Sequence, residues 1–300
     1  MVASNLVLIP GAGGVGRAVF EDLRAHDVPV RFMVRREDER AAELRALGAE
    51  VVIGDLTRPE TVAAALQGVT RMYFAMAVSP DHLLAATVVT SVAKAYGKLE
   101  ALVDLSQMTV SQMTATSTEE SHQQRLHWLA EQVFDWSGLP VVHIRPTAFL
   151  DTPLFTMMAA RSIQASGTIA LPFGTGRTSP VAVDDVARTV ATVLRAPAAH
   201  IGQIYELTGP RSVDMTELAA EFSRALGRQV TYVDVPPERW EAQLPKMGMA
   251  PHLVQHVATM ARLHRDNRYN RTADGVQRVT GAPAQSIEEF VAARKDFYLG

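Results

Sequence analysis

Cysteine is absent from the 300 residues. This excludes a disulfide framework, a thiolate nucleophile and a zinc–thiolate site, while His and carboxylate metal chemistry stays open. No run of about 18 apolar residues occurs, and no cationic leader with an apolar block precedes the first β-rich stretch, so neither a membrane span nor export is expected. An excess of one charge is also missing: 29 Lys and Arg against 32 Asp and Glu leave a formal net charge of −3. Duplex nucleic acid or an anionic membrane surface calls for a basic field that this balance does not supply, so a small molecule is the expected partner. Cytoplasmic residence follows from the same absences. No internal repeat or low-complexity tract interrupts the chain. With 47% hydrophobic residues, it can bury a full core and a small second lobe.

What is present is an alternation. Residues 6–10, 30–34, 50–53, 72–75, 99–105 and 141–144 read as short strands, separated by helical stripes such as Val15, Val19 and Leu23 at i+4 spacing. This rhythm predicts an α/β, doubly wound parallel sheet covered on both faces, an extended Rossmann architecture. Gly48 and Gly68 sit at helix stops, Thr57 to Glu60 offers a capping box with Pro59, and Ser117 with Glu120 offers a second, opening a helix to about Trp136. The polar stretch from Ser111 to Thr118 reads as a mobile loop. After Pro146 the rhythm changes. A helix is expected over 183–194, a strand over 204–207, a helix led by Asp214 to Leu226 and a strand over 230–233, with helices beyond. The expected division is a Rossmann domain over 1–150, completed by 178–207, and a smaller, mostly helical and discontinuous lobe within 151–300.

The chemistry-bearing turn is Gly11-Ala12-Gly13-Gly14-Val15-Gly16, directly after the first strand and opening an amphipathic helix. That placement aims backbone N–H groups and a helix N-terminus at a pyrophosphate. Gly11 suits the tight turn, Gly13 close backbone approach and Gly16 helix-to-strand packing. The second strand ends in Val34-Arg35-Arg36, where an NAD-specific protein carries an acid for the ribose 2′-OH. Two guanidiniums suit a 2′-phosphate, so NADP(H) is favoured and NAD(H) stays possible, with Glu37 and Asp38 able to soften the preference. Asp55 and Leu56 fall where the adenine is expected, and Ala75, Met76 and Ala77 end the fourth strand at the carboxyl edge.

The turn at 11–16, together with the stretches 48–57, 137–146 and 205–210, resembles the NmrA-like family of atypical short-chain dehydrogenases/reductases over nearly the whole chain. The last segment, with 225–228 and 232–237, is similar to members that act as NAD(P)H-dependent quinone or azo reductases. The resemblance implies an extended Rossmann sheet, a mostly helical C-terminal lobe and a substrate cleft between them. It also admits regulators that sense a dinucleotide through a protein partner without turnover. Most members carry GxxGxxG, and this chain has one residue fewer between the first and last glycine.

Typical short-chain dehydrogenases use Tyr-x-x-x-Lys, and none of the six tyrosines here has lysine four residues on. In the corresponding helix, His127 and Glu131 stand at i,i+4 on one face, either as a proton donor with its orienting acid or as a structural pair. Related reductases carry His-x-x-x-Glu or a lysine there. Ser106 and Met108 follow the fifth strand; Pro146, Thr147 and Phe149 follow the sixth after Arg145, which reads as a strand-end anchor. These loops are the expected nicotinamide and substrate contacts, although Ser106 also reads as a turn cap. Phe149, Phe155, Met157 and Met158 read as a core stripe or an apolar substrate wall. No metal site is expected: Asp184 and Asp185 read as a helix cap and dipole partners, and His252, His256 and His264 as a solvated face. The composite expectation is an NAD(P)H-dependent reductase of small carbonyl, quinone-like or conjugated substrates. A homodimer is possible, and the competing reading is a dinucleotide-sensing regulator.

Overall fold

The computed structural model describes residues 5–300; residues 1–4, which belong to the segment on which the expectation about a leader rests, lie outside the described residues. Along the chain run β1 Val7–Pro10, α1 Gly14–Ala25, β2 Val30–Val34, α2 Glu39–Ala46, β3 Glu50–Ile53, α3 Pro59–Ala65, β4 Arg71–Phe74, α4 His82–Tyr96, β5 Ala101–Leu105, α5 His122–Ser137 and β6 Val141–Pro146. There follow α6 Ala159–Ser166, β7 Thr168–Leu171, β8 Arg177–Thr178, α7 Val183–Arg195, β9 Ile204–Leu207, β10 Val213–Asp214, α8 Met215–Leu226, β11 Thr231–Asp234, α9 Pro237–Glu241, α10 Pro251–Arg265, α11 Gly275–Thr280, α12 Ile287–Ala292 and α13 Lys295–Leu299.

Seven strands form one parallel sheet in the order β3-β2-β1-β4-β5-β6-β9. The order reverses between β1 and β4, the crevice at which doubly wound sheets bind ligands beyond their carboxyl ends. Central strands β1 and β4 are buried at every position, because helices cover both faces; the edge strands β3 and β9 show solvent. Val7 pairs with Val30 and Arg71, and Phe74 pairs with Asp104, which puts Phe74 and Asp104 on one face of the sheet. On that face Met72, Phe74 and Leu102 pack with Ala130 and Phe134 of α5 and with Ala85, Ala86 and Val89 of α4. No helix among the described residues is long and apolar enough to cross a membrane.

The described residues divide into two compact units, the first comprising those up to 110 with 123–145 and 186–205 and the second residues 111–122, 146–185 and 206–300. The second unit is mostly helical, with α8 and α12 packed together and an apolar core that includes Phe155, Ile163, Phe222, Phe290 and Tyr298. It also holds two short ladders, β7 with β11 and β8 with β10.

Several local expectations are corrected. The Thr57–Glu60 capping box does not form. Asp55 captures the Thr57 N–H at 2.9 Å and its hydroxyl at 2.8 Å, so α3 begins from Arg58 with Pro59 at its first position. The Ser117–Glu120 box is also absent: Ser117 Oγ accepts from the Thr114 N–H, Glu120 pairs with Arg268, and α5 begins only at His122. At the start of the loop before it, Arg268 Nε donates to Gln112 Oε1 at 2.7 Å and Arg271 donates to Ser111 Oγ at 2.6 Å. Asp214 caps α8 in a full capping box with Glu217. Asp184 and Asp185 lie inside the first turn of α7, where the helix dipole favours them. His256 and His264 are buried, not solvated. Ser121 Oγ meets His256 Nδ1 at 2.8 Å, and the His264 ring is stacked between Phe173 and Tyr269 at 4.2 and 3.9 Å.

Candidate cofactor and active site

The β1–α1 turn is built by its glycines. Gly11 takes φ +79°, the left-handed region, and its N–H bonds Met33 O at 2.9 Å, which ties the turn to β2. Gly13 is the extended N-cap of α1, with no side-chain cap and no acid in the first turn. The first-turn amides therefore have no partner inside the helix and carry the positive end of its dipole. A Cβ at Gly13 or Gly14 would meet nothing within 4 Å, so this face is open to a ligand. At Gly16 a Cβ would lie 2.8 Å from Gly11 O and 3.3 Å from Ile9 Cγ2, so hydrogen is the only side chain that this packing accepts.

Beyond β2, Arg35 and Arg36 are exposed. Arg35 Nε stands 3.7 Å from Asp55 Oδ2, and Asp55 is held below the usual carboxylate range first by the Thr57 backbone N–H, with the Thr57 hydroxyl and nearby Arg35 and Arg58 adding to it. Leu56 is buried and Val15 half-buried. The two acids that might have competed for this corner are committed: Glu37 is gripped by Arg45, and Asp38 caps α2 through the Ala41 N–H at 3.1 Å.

At the carboxyl end of β4, Ala75 and Met76 are half-buried and Ala77 is exposed, and the loop after them is fastened by the Ser79 N–H donating to Gln123 Oε1 at 3.1 Å. His82, at the head of α4, is fully buried beside Phe74 with neither ring nitrogen hydrogen-bonded among the described residues. Burial pushes it down to about 4, so it is neutral. Its ring meets His127 of α5 at 4.1 Å. Sequence reasoning missed His82, whose place directly under His127 has no signature in the spacing. At the end of β5, Ser106 is buried, its N–H bonds Ile144 O at 2.8 Å, and its Oγ has no hydrogen-bond partner among the described residues. Met108 is buried in the 3₁₀ turn that follows.

Glu131, one helical turn from His127 on α5, also faces Arg145 at the end of β6. Both of its carboxylate oxygens accept from Arg145, from Nε at 3.0 Å and Nη2 at 2.5 Å, which anchors the end of β6. Next to this pair His143 Nδ1 meets Asp104 Oδ2 at 2.8 Å and Nε2 meets Asp135 Oδ1 at 3.1 Å. Burial opposes the charge on His143, but its bonds to Asp104 and Asp135 outweigh that and lift it to about 10. Burial raises Asp104. Asp104, Glu131 and His143 are close enough together to hold a metal ion, yet the bonds to Arg145 and within the pair already use these donors.

The remaining candidates belong to the second unit. Pro146 and Thr147 are buried; the Thr147 N–H bonds Leu207 O at 2.9 Å, and its Oγ1 has no hydrogen-bond partner among the described residues. Phe149 is half-buried and bridges Val181. Phe155 is core and Met158 packs on it, whereas Met157 is exposed.

The model of the family described as NAD(P)H-binding matches residues 11–197. The chain belongs to the NAD(P)H-binding family. Along its full length it is similar to the NAD(P)H azoreductase of Xenophilus azovorans, 29% identical over 290 residues and covering 96% of this chain and 97% of that one. It is similar also to quinone oxidoreductase 2 of Escherichia coli, 28% identical over 262 residues, 84% of this chain and 86% of the other. The fold is that of NmrA, a negative transcriptional regulator solved in complex with NADP, with a TM-score of 0.79 at 17% identity over 97% and 95% of the two chains. The NAD(P)H-binding family expected from the sequence is the one whose model matches, and the NmrA-like fold expected with it is the fold met here. These residues suit the family's cofactor: the open amides of the α1 N-terminus, the exposed guanidiniums of Arg35 and Arg36 and the buried Ser106 hydroxyl lie at successive carboxyl ends of this sheet.

Proposed function

We propose that this NAD(P)H-binding protein is an NADPH-dependent reductase acting on small carbonyl, quinone-like or other conjugated acceptors. The observation that carries the reading is the opening of α1. Its N-cap is a bare glycine, no acid occupies its first turn, and nothing stands in front of Gly13 and Gly14. A helix end left in that condition is matched to a phosphate group.

The bound nicotinamide supplies a hydride. Gly13, Gly14, Val15 and Gly16 hold the pyrophosphate through their amides, Gly11 shapes the turn, and Arg35 and Arg36 take the 2′-phosphate as paired forks. Asp55, Leu56, Ala75, Met76 and Ala77 flank the adenine and ribose. Ser106 holds the nicotinamide end with Met108 against the acceptor; Pro146, Thr147 and Phe149, in the second unit, are the residues that the sequence suggests for the same roles. Reduction of a carbonyl needs a proton as well as a hydride, and His127 gives it. The neutral His82 ring against one side of His127 keeps water from that side, while Glu131 acts indirectly by fixing Arg145. Azo and quinone acceptors come first because relatives along the chain are an azoreductase and a quinone oxidoreductase.

NADPH oxidation followed at saturating quinone, azo dye, enone and aldehyde tests this directly. Turnover with at least one class is expected, with His127→Ala lowering kcat at least tenfold and leaving the NADPH Kd within about twofold. Tight NADPH binding with no oxidation across the panel overturns the reductase reading in favour of a dinucleotide sensor.

A further inference from the structure

The corner that reads the 2′ position contains four charged residues in sequence, Arg35, Arg36, Glu37 and Asp38, and the formal sum of their charges is zero. A dianionic 2′-phosphate gains little from a neutral cluster, so the preference depends on where each carboxylate points. Asp38 is spent on the first turn of α2, accepting from the Ala41 N–H. Glu37 is held by the fork of Arg45, from the last turn of the same helix: Nη1 donates to Oε1 and Nη2 to Oε2, the latter at 2.9 Å. Arg36 makes no ion pair among the described residues, and Arg35 has only the 3.7 Å approach to Asp55. The sequence thus offers an ambiguous corner, and one remote side chain resolves it.

We propose that Arg45 is a specificity-determining residue for the cofactor. It touches neither ribose nor phosphate. It acts through Glu37, neutralising and anchoring the carboxylate that would otherwise repel a 2′-phosphate or accept from the 2′-OH of NADH, so that Arg35 and Arg36 face the ligand without Glu37 against them. Discrimination here comes from removing an unfavourable charge as much as from adding favourable ones. An exposed ion pair contributes little to stability, but its two-pronged geometry fixes a direction, which is what selectivity needs. The inference rests on the NADPH reading above and adds a residue that no nucleotide contact would reveal.

Calorimetric Kd values for NADPH and NADH, at low and at physiological salt, test it on the full chain as wild type, Arg45→Ala, Glu37→Gln and Arg45→Ala/Glu37→Gln, with thermal midpoints checking that each folds. Arg45→Ala is expected to weaken NADPH roughly threefold to tenfold at low salt, as for a carboxylate restored within a Debye length of a dianion, while NADH is unchanged or tighter. Adding Glu37→Gln should restore NADPH binding, and raising salt should shrink the Arg45→Ala effect. An NADPH-to-NADH ratio unmoved by Arg45→Ala, equal losses for both cofactors, or no rescue by the double variant overturns the role of Arg45 while leaving the NADPH reading intact. A wild-type protein that binds NADH more tightly overturns the NADPH reading and this inference with it.

Discussion

Gly16→Ala, set against its neighbours in the same turn, separates what the glycines do for the fold from what they do for the cofactor. A methyl at Gly16 would sit 2.8 Å from Gly11 O and 3.3 Å from Ile9 Cγ2. Neither neighbour yields easily, because Gly11 is pinned by its own N–H to Met33 O and Ile9 lies fully buried in β1. Overpacking of this kind costs about 1–3 kcal/mol, against which the better helix propensity of alanine returns about 1 kcal/mol at most. Gly14→Ala gains the same propensity in open space, so the difference between the two variants isolates the overpacking at about 1–3 kcal/mol. Gly13→Asp has the opposite pattern. Aspartate is a good N-cap, so the apo-protein should hold or gain a few tenths of a kcal/mol, while a carboxylate in front of the helix end should abolish dinucleotide binding. Urea denaturation without and with NADPH at about 100 times its Kd reads both effects. Wild type should gain about 2.7 kcal/mol from ligand and Gly13→Asp none. Gly16→Ala proving as stable as Gly14→Ala would refute the packing account, and full ligand stabilisation of Gly13→Asp would refute the anion site.

Three further outcomes follow from the buried ionisable groups. His82, His256 and His264 are each held down to about 4 by burial, so the unfolded chain binds protons at these sites through the window from pH 6.5 to 4 while the folded one does not. Their stability is present above 6.5 and lost on acidification at about 1.4 kcal/mol per pH unit each, and denaturation curves at pH 7, 6 and 5 that coincide would contradict the burial of these rings. His143, lifted to about 10, contributes stability that is whole below pH 6.5 and fades as pH rises through 10; the stability gap between wild type and His143→Gln should therefore narrow from pH 7 to 10, and a gap that widens is the wrong sign. Arg71, buried at the start of β4, donates to Leu194 O at 2.6 Å and Arg195 O at 3.0 Å, closing the last turn of α7. Arg71→Ala should lower stability by about 2–4 kcal/mol in urea, and a loss under 0.5 would show that water replaces it.

Local order and the position of the cofactor turn were legible because they are written at short range. The strands at 30–34, 50–53 and 204–207, and the helix capped by Asp214, follow from apolar period and cap chemistry within a few residues. The glycine turn is equally local: its roles at Gly11 and Gly16 rest on one torsion and one contact inside a single βα unit. Some short signals still failed. Thr57 read as a cap until Asp55, two residues away, captured it, and the Ser117–Glu120 pair was spent on Thr114 and on Arg268, far along the chain.

Sequence alone determined the strand-helix alternation, the place of the glycine turn between β1 and α1 and the absence of a tyrosine–lysine acid, since each depends on residues next to one another or at a fixed helical spacing. Only the tertiary structure decided which partner each charged side chain keeps. Glu131 goes to Arg145, fourteen positions away; Glu37 goes to Arg45; and His82, forty-five positions before His127, becomes its ring neighbour. Pairings between groups brought together by packing are set by distance and desolvation in the folded chain, and neither quantity is encoded in local spacing.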